Sequence, residues 1–67
     1  MSVARVTEIS ARSERGFEDA LDEGIARAHK TLRQVKSAWI KEQQVEVEDG
    51  RIVAYRVNML VTFVLDD

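Results

Sequence analysis

Residues 52–65 read IVAYRVNMLVTFVL, and the rest of the chain is best understood from this stretch. Every second residue is apolar, which predicts a β-strand with one continuous apolar face. That face consists of Val53, Tyr55, Val57, Met59, Val61, Phe63 and Leu65. The opposite face has polar Arg56 and Asn58 at its middle and apolar residues at both ends. Such a face suits contact with another subunit or a ligand better than contact with bulk water.

The segment 11–35 changes to the period of a helix. Its apolar residues recur at steps of three and four, which is typical of the buried stripe of an amphipathic helix. The stripe consists of Phe17, Leu21, Gly24, Ile25, Ala28, Leu32 and Val35. Ser13 is predicted to be the N-cap, because its side-chain oxygen can accept a hydrogen bond from a free amide of the first turn. Glycine is unfavourable inside a helix, so Gly24 on the stripe indicates close approach of the sheet.

Two further strands complete the predicted fold. Residues 3–10 (VARVTEIS) are rich in β-branched side chains, and residues 37–48 (SAWIKEQQVEVE) return to a strand-like pattern. Asp49 and Gly50 then tolerate the positive φ angles of a type I′ turn, which predicts an antiparallel hairpin. The fold class is therefore α+β, with the order β-α-β-β. A three-stranded antiparallel sheet packs on one helix, and the third strand lies in the centre.

A two-residue turn also fixes which residues of the hairpin face each other, starting with Glu48 opposite Arg51. The predicted pairs on the sheet face that the helix leaves uncovered are Ser37 with Thr62, Trp39 with Leu60, Lys41 with Asn58, and Gln43 with Arg56. A bulge in the hairpin would shift these pairs. The set of residues on this face is therefore a firmer prediction than the individual pairs.

Length and composition bound the class of protein. The 67 residues form one small domain, 1–67, and a chain of this size buries only about 60% of its unfolded surface. It has no cysteine for disulfides, and His29 is the only histidine, so self-association is the expected source of extra stability.

The charge pattern argues against two classes of partner. The net charge is −2 with both signs interspersed, which predicts no nucleic-acid partner. The sequence has no apolar run near the roughly 18 residues of a membrane span and no apolar signal segment at its start, so we expect no membrane partner and a cytoplasmic location. Asp66 and Asp67 are interpreted as a frayed tail.

Several of these features together resemble the dodecin family. They are Ser13-Glu14 before a helix that contains Phe17, Ala20, Ile25 and Arg27-Ala28, and a long hairpin that ends in residues 55–65 (YRVNMLVTFVL). The resemblance covers nearly the whole chain without obvious gaps. It implies β-α-β-β subunits that assemble into a hollow homododecamer, and many dodecins hold pairs of flavins at two-fold axes.

The resemblance also implies where a flavin would be contacted. In the family, a tryptophan stacks on the isoalloxazine ring and a glutamine hydrogen-bonds its pyrimidine edge; along an ungapped match these positions fall at Ser37 and Arg56. Trp39 lies two residues on, on the same face, where it could stack in an altered pose. Arg56 can donate to flavin carbonyls but cannot accept from the ring N–H. The predicted ligand-binding residues are therefore Ser37, Trp39, Gln43 and Arg56, with FMN or riboflavin as the candidate ligand.

A branch of the family has arginine at this position of the third strand, lacks the stacking tryptophan and is described as containing calcium. The chain looks closer to that branch, which makes calcium a second candidate cofactor. Calcium takes six to eight oxygen ligands, and the sequence has no EF-hand loop. The metal site is therefore unknown, although symmetry could gather carboxylates such as Glu42, Glu46, Glu48 and Asp49.

Two functions are consistent with these observations. The first is a hollow homododecamer that binds and stores a small ligand of the flavin type. The alternative is a structural, calcium dodecin-like assembly whose uncovered face is only a subunit interface, with Trp39 as an anchor and Arg56 in an intersubunit ion pair to Glu42 or Glu46. An enzyme is not expected, because His29 has no nucleophile and orienting group at a recognisable spacing.

Overall fold

The computed structural model describes residues 3–65, so Asp66 and Asp67 lie outside the described residues. Four elements follow one another: β1 (Ala4–Ser13), α1 (Phe17–Thr31), β2 (Val35–Glu48) and β3 (Arg51–Val64). The strands form one antiparallel sheet in the order β1-β3-β2, and α1 packs against one face of it. The predicted β-α-β-β fold with the third strand in the centre is confirmed.

The core lies between α1 and the inner face of β3, which we define as the face toward the helix. Val57, Met59 and Val61 have no accessible surface, as the alternation along β3 predicts. Ala20 of the helix is equally buried and completes the core cluster with them. Burial of each such valine or methionine side chain contributes about 1.5–3 kcal/mol to folding, so this short row is a principal source of stability.

Gly24 lies where the helix approaches the sheet most closely. A Cβ atom built on Gly24 would lie 2.8 Å from Cε of Met59 and 3.1 Å from Cβ of Ala11. Both distances are shorter than an ordinary van der Waals contact. The prediction that this glycine permits close approach of the sheet is confirmed.

The helix is shorter than the sequence pattern indicated, and Ser13 is not its N-cap. β1 continues to Ser13, which pairs with Tyr55, and the helix begins at Phe17 after Gly16 without a side-chain cap. Because β1 stays paired with β3 this far, Ser13 Oγ lies too early to cap the helix. It accepts a hydrogen bond from the backbone N–H of Arg15 at 2.9 Å instead.

The C-terminal end of the predicted stripe also leaves the helix. The helix ends at Thr31, and the amide of Leu32 still donates to the carbonyl of Ala28 at 2.7 Å. Leu32 and Val35 pack against the core from the connection and from the start of β2. The apolar positions were identified correctly, although they belong to more than one element.

Ser13 and Asp19 join the end of β1 to the first turn of the helix. Ser13 Oγ donates to Asp19 Oδ2 at 2.6 Å, and Arg15 Nη2 donates to Asp19 Oδ1 at 3.0 Å. The hydrogen bond from Ser13, and secondly that from Arg15, lowers the pKa of Asp19 below its ordinary 3.8. Ionised Asp19 therefore stabilises the folded chain.

This arrangement predicts a pH-dependent contribution to stability. Since the pKa of Asp19 is lower in the folded than in the unfolded chain, its contribution is present above about pH 4 and is lost as the pH falls through the folded value. We expect Asp19→Asn to lower the melting temperature at pH 7 and to have a progressively smaller effect as the pH falls below about 4.

Melting temperatures of both proteins between pH 2.5 and 7 would test this expectation. Asp22→Asn is the matched control, because Asp22 is exposed on the same helix and forms no hydrogen bond or ion pair within residues 3–65. An equal loss for Asp19→Asn at both ends of the pH range would contradict the assigned role.

The β2–β3 hairpin has the predicted turn but only part of the predicted register. Asp49 and Gly50 have φ angles of 51° and 77°, as a type I′ turn requires, and Glu48 faces Arg51. The pairs Ser37 with Thr62 and Trp39 with Leu60 are also confirmed. The register shifts at Lys36 and Lys41 of β2, and at Val53 of β3 opposite Glu46 and Val47.

Two irregularities, one at Lys41 of β2 and one at Val53 of β3, shift the pairing of residues 42–46 by one position. Glu42, rather than Lys41, lies opposite Asn58. Gln43 lies opposite Val57, and Gln44 takes the position opposite Arg56 that was predicted for Gln43. An inserted residue moves the following side chains to the other face of the strand, so these two predicted pairs are wrong.

The hairpin extends beyond the three-stranded part of the sheet. β1 ends at Ser13, opposite Tyr55, so residues 46–54 form a two-stranded projection that we call the hairpin arm. The Cα positions of the molecule extend over 51 × 19 × 13 Å. This elongated shape leaves Val47 and Ile52 more than half exposed.

Candidate functional site

The candidate site lies on the outer face, which we define as the sheet face away from α1. Trp39 of β2 projects from it with 50% of its surface exposed. Its neighbour across the strands is Leu60 of β3, and Glu8 of β1 lies on the other side of Leu60. Ser37 follows in the next outer-face position, opposite Thr62. Trp39 and Leu60 together form an apolar platform with a planar ring at its edge.

Polar side chains border this platform and are paired with one another. Lys41 Nζ reaches across β3 to Glu8 Oε1 at 3.2 Å, and both side chains are about half exposed. In the next row Asn58 Nδ2 donates to Glu42 Oε1 at 2.9 Å. Exposed pairs of this kind contribute little to stability. Lys41 and Glu8 offset each other's charge beside Trp39, whereas Glu42 keeps its negative charge.

Arg56 lies farther toward the turn in a second polar group. Its Nη1 donates to Ser10 Oγ at 3.0 Å, and its Nε lies 3.8 Å from Glu46 Oε2. The same carboxylate oxygen accepts a hydrogen bond from Arg12 Nε at 3.0 Å. That hydrogen bond raises the pKa of Arg12. The ion pair predicted between Arg56 and Glu46 of different subunits is thus formed within one chain, because both side chains lie on the outer face of neighbouring strands.

Gln43 is not on the outer face with Trp39, since it pairs with Val57 of the inner-face row. Gln44 is the glutamine that the bulge places beside Arg56. Gln44 is exposed, and within residues 3–65 its side-chain amide makes no hydrogen bond. Sequence reasoning missed Gln44 because alternation alone gives no sign of the extra residue at Lys41.

One chain does not bring Trp39 and Arg56 together. Leu60, the partner of Trp39, is four residues from Arg56 along β3, which corresponds to about 13 Å at the rise of an extended strand. A ligand that contacts both Trp39 and Arg56 of one chain would have to span about this distance. Ser37 and Trp39 belong to one end of this face, and Arg56 belongs to its middle.

The described residues do not form a metal site within one chain. Between residues 3 and 65, no three His, Cys, Asp or Glu side chains are grouped closely enough to hold a metal ion. Glu42 and Glu46 already accept hydrogen bonds from Asn58 and Arg12. In the same part of the chain, no helix has the length and apolar character needed to cross a membrane.

Comparison with known proteins identifies the same fold in dodecins. The dodecin family model matches residues 3–66. A dodecin from Streptomyces davaonensis is 35% identical, with a TM-score of 0.94 over 98% of this chain and 97% of that one. A dodecin variant from Thermus thermophilus is 31% identical, with a TM-score of 0.94 over the full length of both chains.

A third similar structure is a calcium dodecin. This calcium-chelating antigen from Mycobacterium tuberculosis, described as having a novel calcium-binding site, is 30% identical to the chain. The match covers 97% of this chain and 93% of that one, with a TM-score of 0.83. No protein with a curated description matches the chain.

Proposed function

Because the chain belongs to the dodecin family, we propose that it forms a hollow homododecamer that binds and stores a flavin, FMN or riboflavin, between the outer faces of neighbouring subunits. The family supports binding of a small ligand by a multimeric protein. The flavin, the number of subunits and the contact residues are the parts that we propose.

The observation that carries this proposal is the exposure of Trp39 on a sheet face whose neighbouring polar side chains are hydrogen-bonded to one another. Trp39 is 50% exposed beside Leu60, so part of its apolar ring surface is in contact with water. A planar ligand that covered this surface would remove it from water, which is favourable. Stacking of a heteroaromatic ring on an aromatic side chain contributes about 1–3 kcal/mol in nucleic-acid complexes, and a flavin ring is of similar character. A two-fold axis would supply a second Trp39 to the same ligand pair.

The polar edge of the ligand would meet Arg56 and Gln44. A guanidinium has five N–H donors, and Arg56 uses only some of them for Ser10 and Glu46, so it can still donate to flavin carbonyls. Arginine cannot accept from the ring N–H, whereas the side-chain carbonyl of Gln44 can. Gln44 therefore supplies the acceptor that Arg56 lacks.

A fluorescence titration tests the proposal directly, because Trp39 is the only tryptophan. We expect FMN or riboflavin to quench the emission of Trp39 saturably in the purified assembly, through stacking on the indole ring. Flavin fluorescence should fall in parallel, and Trp39→Phe should weaken binding about tenfold, within the range of one aromatic stack.

His29→Gln serves as the control variant, since His29 is exposed on the helix on the other side of the sheet. It should bind flavin like the unchanged protein. A titration that leaves the emission of Trp39 unchanged at millimolar flavin would contradict the proposed ligand.

The second candidate function is a calcium-containing assembly that binds no flavin. It is favoured by Ser37 and Arg56, which stand at the two positions where the family's flavin contacts are expected, and by the similarity to the calcium dodecin. Under this alternative, calcium should raise the melting temperature and a chelator should reverse the increase. Flavin should change neither the melting temperature nor the emission of Trp39.

A further inference from the structure

The turn at the tip of the hairpin arm, formed by Asp49 and Gly50, brings two reactive groups together outside the ligand site. Asp49 is the only aspartate in the sequence that is followed by glycine. It is exposed, and no atom lies within 4 Å of a Cβ built on Gly50. Within residues 3–65, the Asp49 carboxylate forms no hydrogen bond or ion pair, and the N–H of Gly50 donates no hydrogen bond. A carboxyl carbon and an amide nitrogen are therefore adjacent, and neither is held by another group.

Whether these two groups can react depends on the backbone angle ψ of Asp49. They meet in a five-membered ring when Cβ of Asp49 eclipses the amide nitrogen of Gly50, which requires ψ of about −120°, the value at the first centre of a type II′ turn. In a type I′ turn, ψ at this position is about +30°, and the amide nitrogen lies on the side away from Cβ. The type I′ turn must therefore change before the ring can close.

Rotation of the single peptide group between Asp49 and Gly50 converts one turn into the other. Asp49 has a φ of 51°, close to the value of about 60° that both primed turns have at this position. The φ of Gly50 moves from 77° to about −80°, and glycine adopts both signs of φ readily. Both turns match the twist of the flanking strands, so the hairpin stays paired. The rotated turn is a minor conformation, because its first centre favours glycine over aspartate.

We propose that Asp49 is a modification site, at which the folded hairpin converts aspartate to isoaspartate through a succinimide. The amide nitrogen of Gly50 attacks the carboxyl carbon of Asp49, an N–C bond forms, and the carboxyl hydroxyl leaves with the amide proton as water. A second water then adds to the main-chain carbonyl carbon of Asp49 and breaks its bond to the Gly50 nitrogen, which regains a proton. The chain now continues through the side-chain carbon, and the mass is unchanged.

The product lengthens the turn by one main-chain atom and displaces the pairing beside it. Glu48 faces Arg51 across a two-residue turn, and the longer turn no longer fixes this pair. β1 pairs with β3 from Tyr55 onward, so the change alters the hairpin arm and not the three-stranded sheet. Trp39 lies toward the other end of β2, so its fluorescence should not respond to the modification.

Ageing of the full-length protein tests the proposal, with the aspartates of the helix as an internal control. Trypsin releases residues 42–51, which contain Asp49, and residues 16–27, which contain Asp19 and Asp22. After several weeks at neutral pH and body temperature, electron-transfer fragmentation distinguishes isoaspartate from aspartate in each peptide. We expect isoaspartate to form about tenfold faster or more at Asp49, because the helix holds ψ of the other two near −42°.

Gly50→Asn is the matched variant, because asparagine also adopts the positive φ of a type I′ turn. Its side chain crowds the attacking amide nitrogen, so we expect isoaspartate at Asp49 to form about fivefold more slowly while the hairpin is kept. Circular dichroism of both proteins would confirm that they are folded to the same extent.

Equal amounts of isoaspartate in the two peptides of the folded protein would overturn the proposal. A parallel incubation in urea measures the reaction in the unfolded chain. Conversion of Asp49 in urea alone would also overturn the proposal, since the folded turn would then block the peptide rotation. Conversion in the folded protein that is slowed by Gly50→Asn would support it, whether or not the protein binds flavin.

Discussion

Gly24→Leu is expected to destabilise the folded chain by about 3 kcal/mol or more, near the upper end of the usual cost of overpacking a core. The first added atom already lies 2.8 Å from Cε of Met59 and 3.1 Å from Cβ of Ala11. Met59 can move the end of its flexible side chain, whereas Ala11 is fixed by its strand. A leucine side chain would therefore force α1 away from the β1–β3 sheet and expose Val57 and Val61.

Gly24→Ala should be much milder, with a net loss of about 1 kcal/mol. Alanine gains up to about 1 kcal/mol of helix propensity over glycine, and this gain offsets part of the strain of its tight contacts. Urea unfolding at one fixed protein concentration would measure both variants, because association adds a concentration-dependent term to stability.

Gly16→Ala is the control for the glycine replacements. No atom lies within 4 Å of a Cβ built on Gly16, and its backbone is extended, so its stability should change by only a few tenths of a kcal/mol. If Gly24→Leu were tolerated as well as Gly16→Ala, the helix would not approach the sheet as closely as the structure indicates.

The features that could be predicted from the sequence are those set by local periodicity. Alternation along residues 52–65 identifies the buried face of β3, and the helical spacing identifies Gly24 as a contact position. The pair Asp49-Gly50 identifies the turn because few residues tolerate positive φ at both of its centres. Each of these signals is contained within a few neighbouring residues.

The features that could not be predicted depend on pairing between distant strands. The irregularity at Lys41 arises where β2 meets β3, and it exchanges Gln43 for Gln44 on the outer face. Ser13 is a good helix N-cap by residue type, but its pairing with Tyr55 keeps it in β1. In both places the tertiary contact outweighs the local preference of the residue.

The candidate site also combines features set by local periodicity with features set by contacts between distant strands. The outer face was identified through Ser37 and Trp39, whose predicted pairs with Thr62 and Leu60 are present. The environment of Arg56 was predicted only in part: its contact with Glu46 was expected between subunits and lies within one chain, and its hydrogen bond to Ser10 of β1 was not expected. Arg56 lies about 13 Å along β3 from the row of Trp39, and under the proposed function a second copy brings the two residue types to one ligand.

Combining Ser37→Trp with Arg56→Gln is expected to raise flavin affinity about 100-fold, equivalent to about 2.7 kcal/mol. Ser37 is exposed opposite Thr62, so an indole there can extend from the sheet without entering the core. Glutamine at position 56 offers both a donor and an acceptor to the pyrimidine edge. Glu46 keeps its hydrogen bond from Arg12 when Arg56 is replaced, so the local network is not left with an unpaired carboxylate.

The two substitutions should act through different parts of the ligand, which the single variants can separate. Ser37→Trp alone should bind lumichrome, a flavin ring without the ribityl chain, as well as it binds riboflavin, because stacking involves only the ring. Arg56→Gln alone should change affinity modestly, since one neutral hydrogen bond contributes about 0.5–1.5 kcal/mol. Isothermal titration of all four proteins would show whether the gains add.

If Trp39 is itself the stacking residue, a second indole at position 37 would compete with it, and Trp39→Phe in the double variant should then increase affinity further. An affinity for flavin unchanged by the double substitution would show that the outer face does not bind flavin in the expected register, and would favour the calcium-containing alternative.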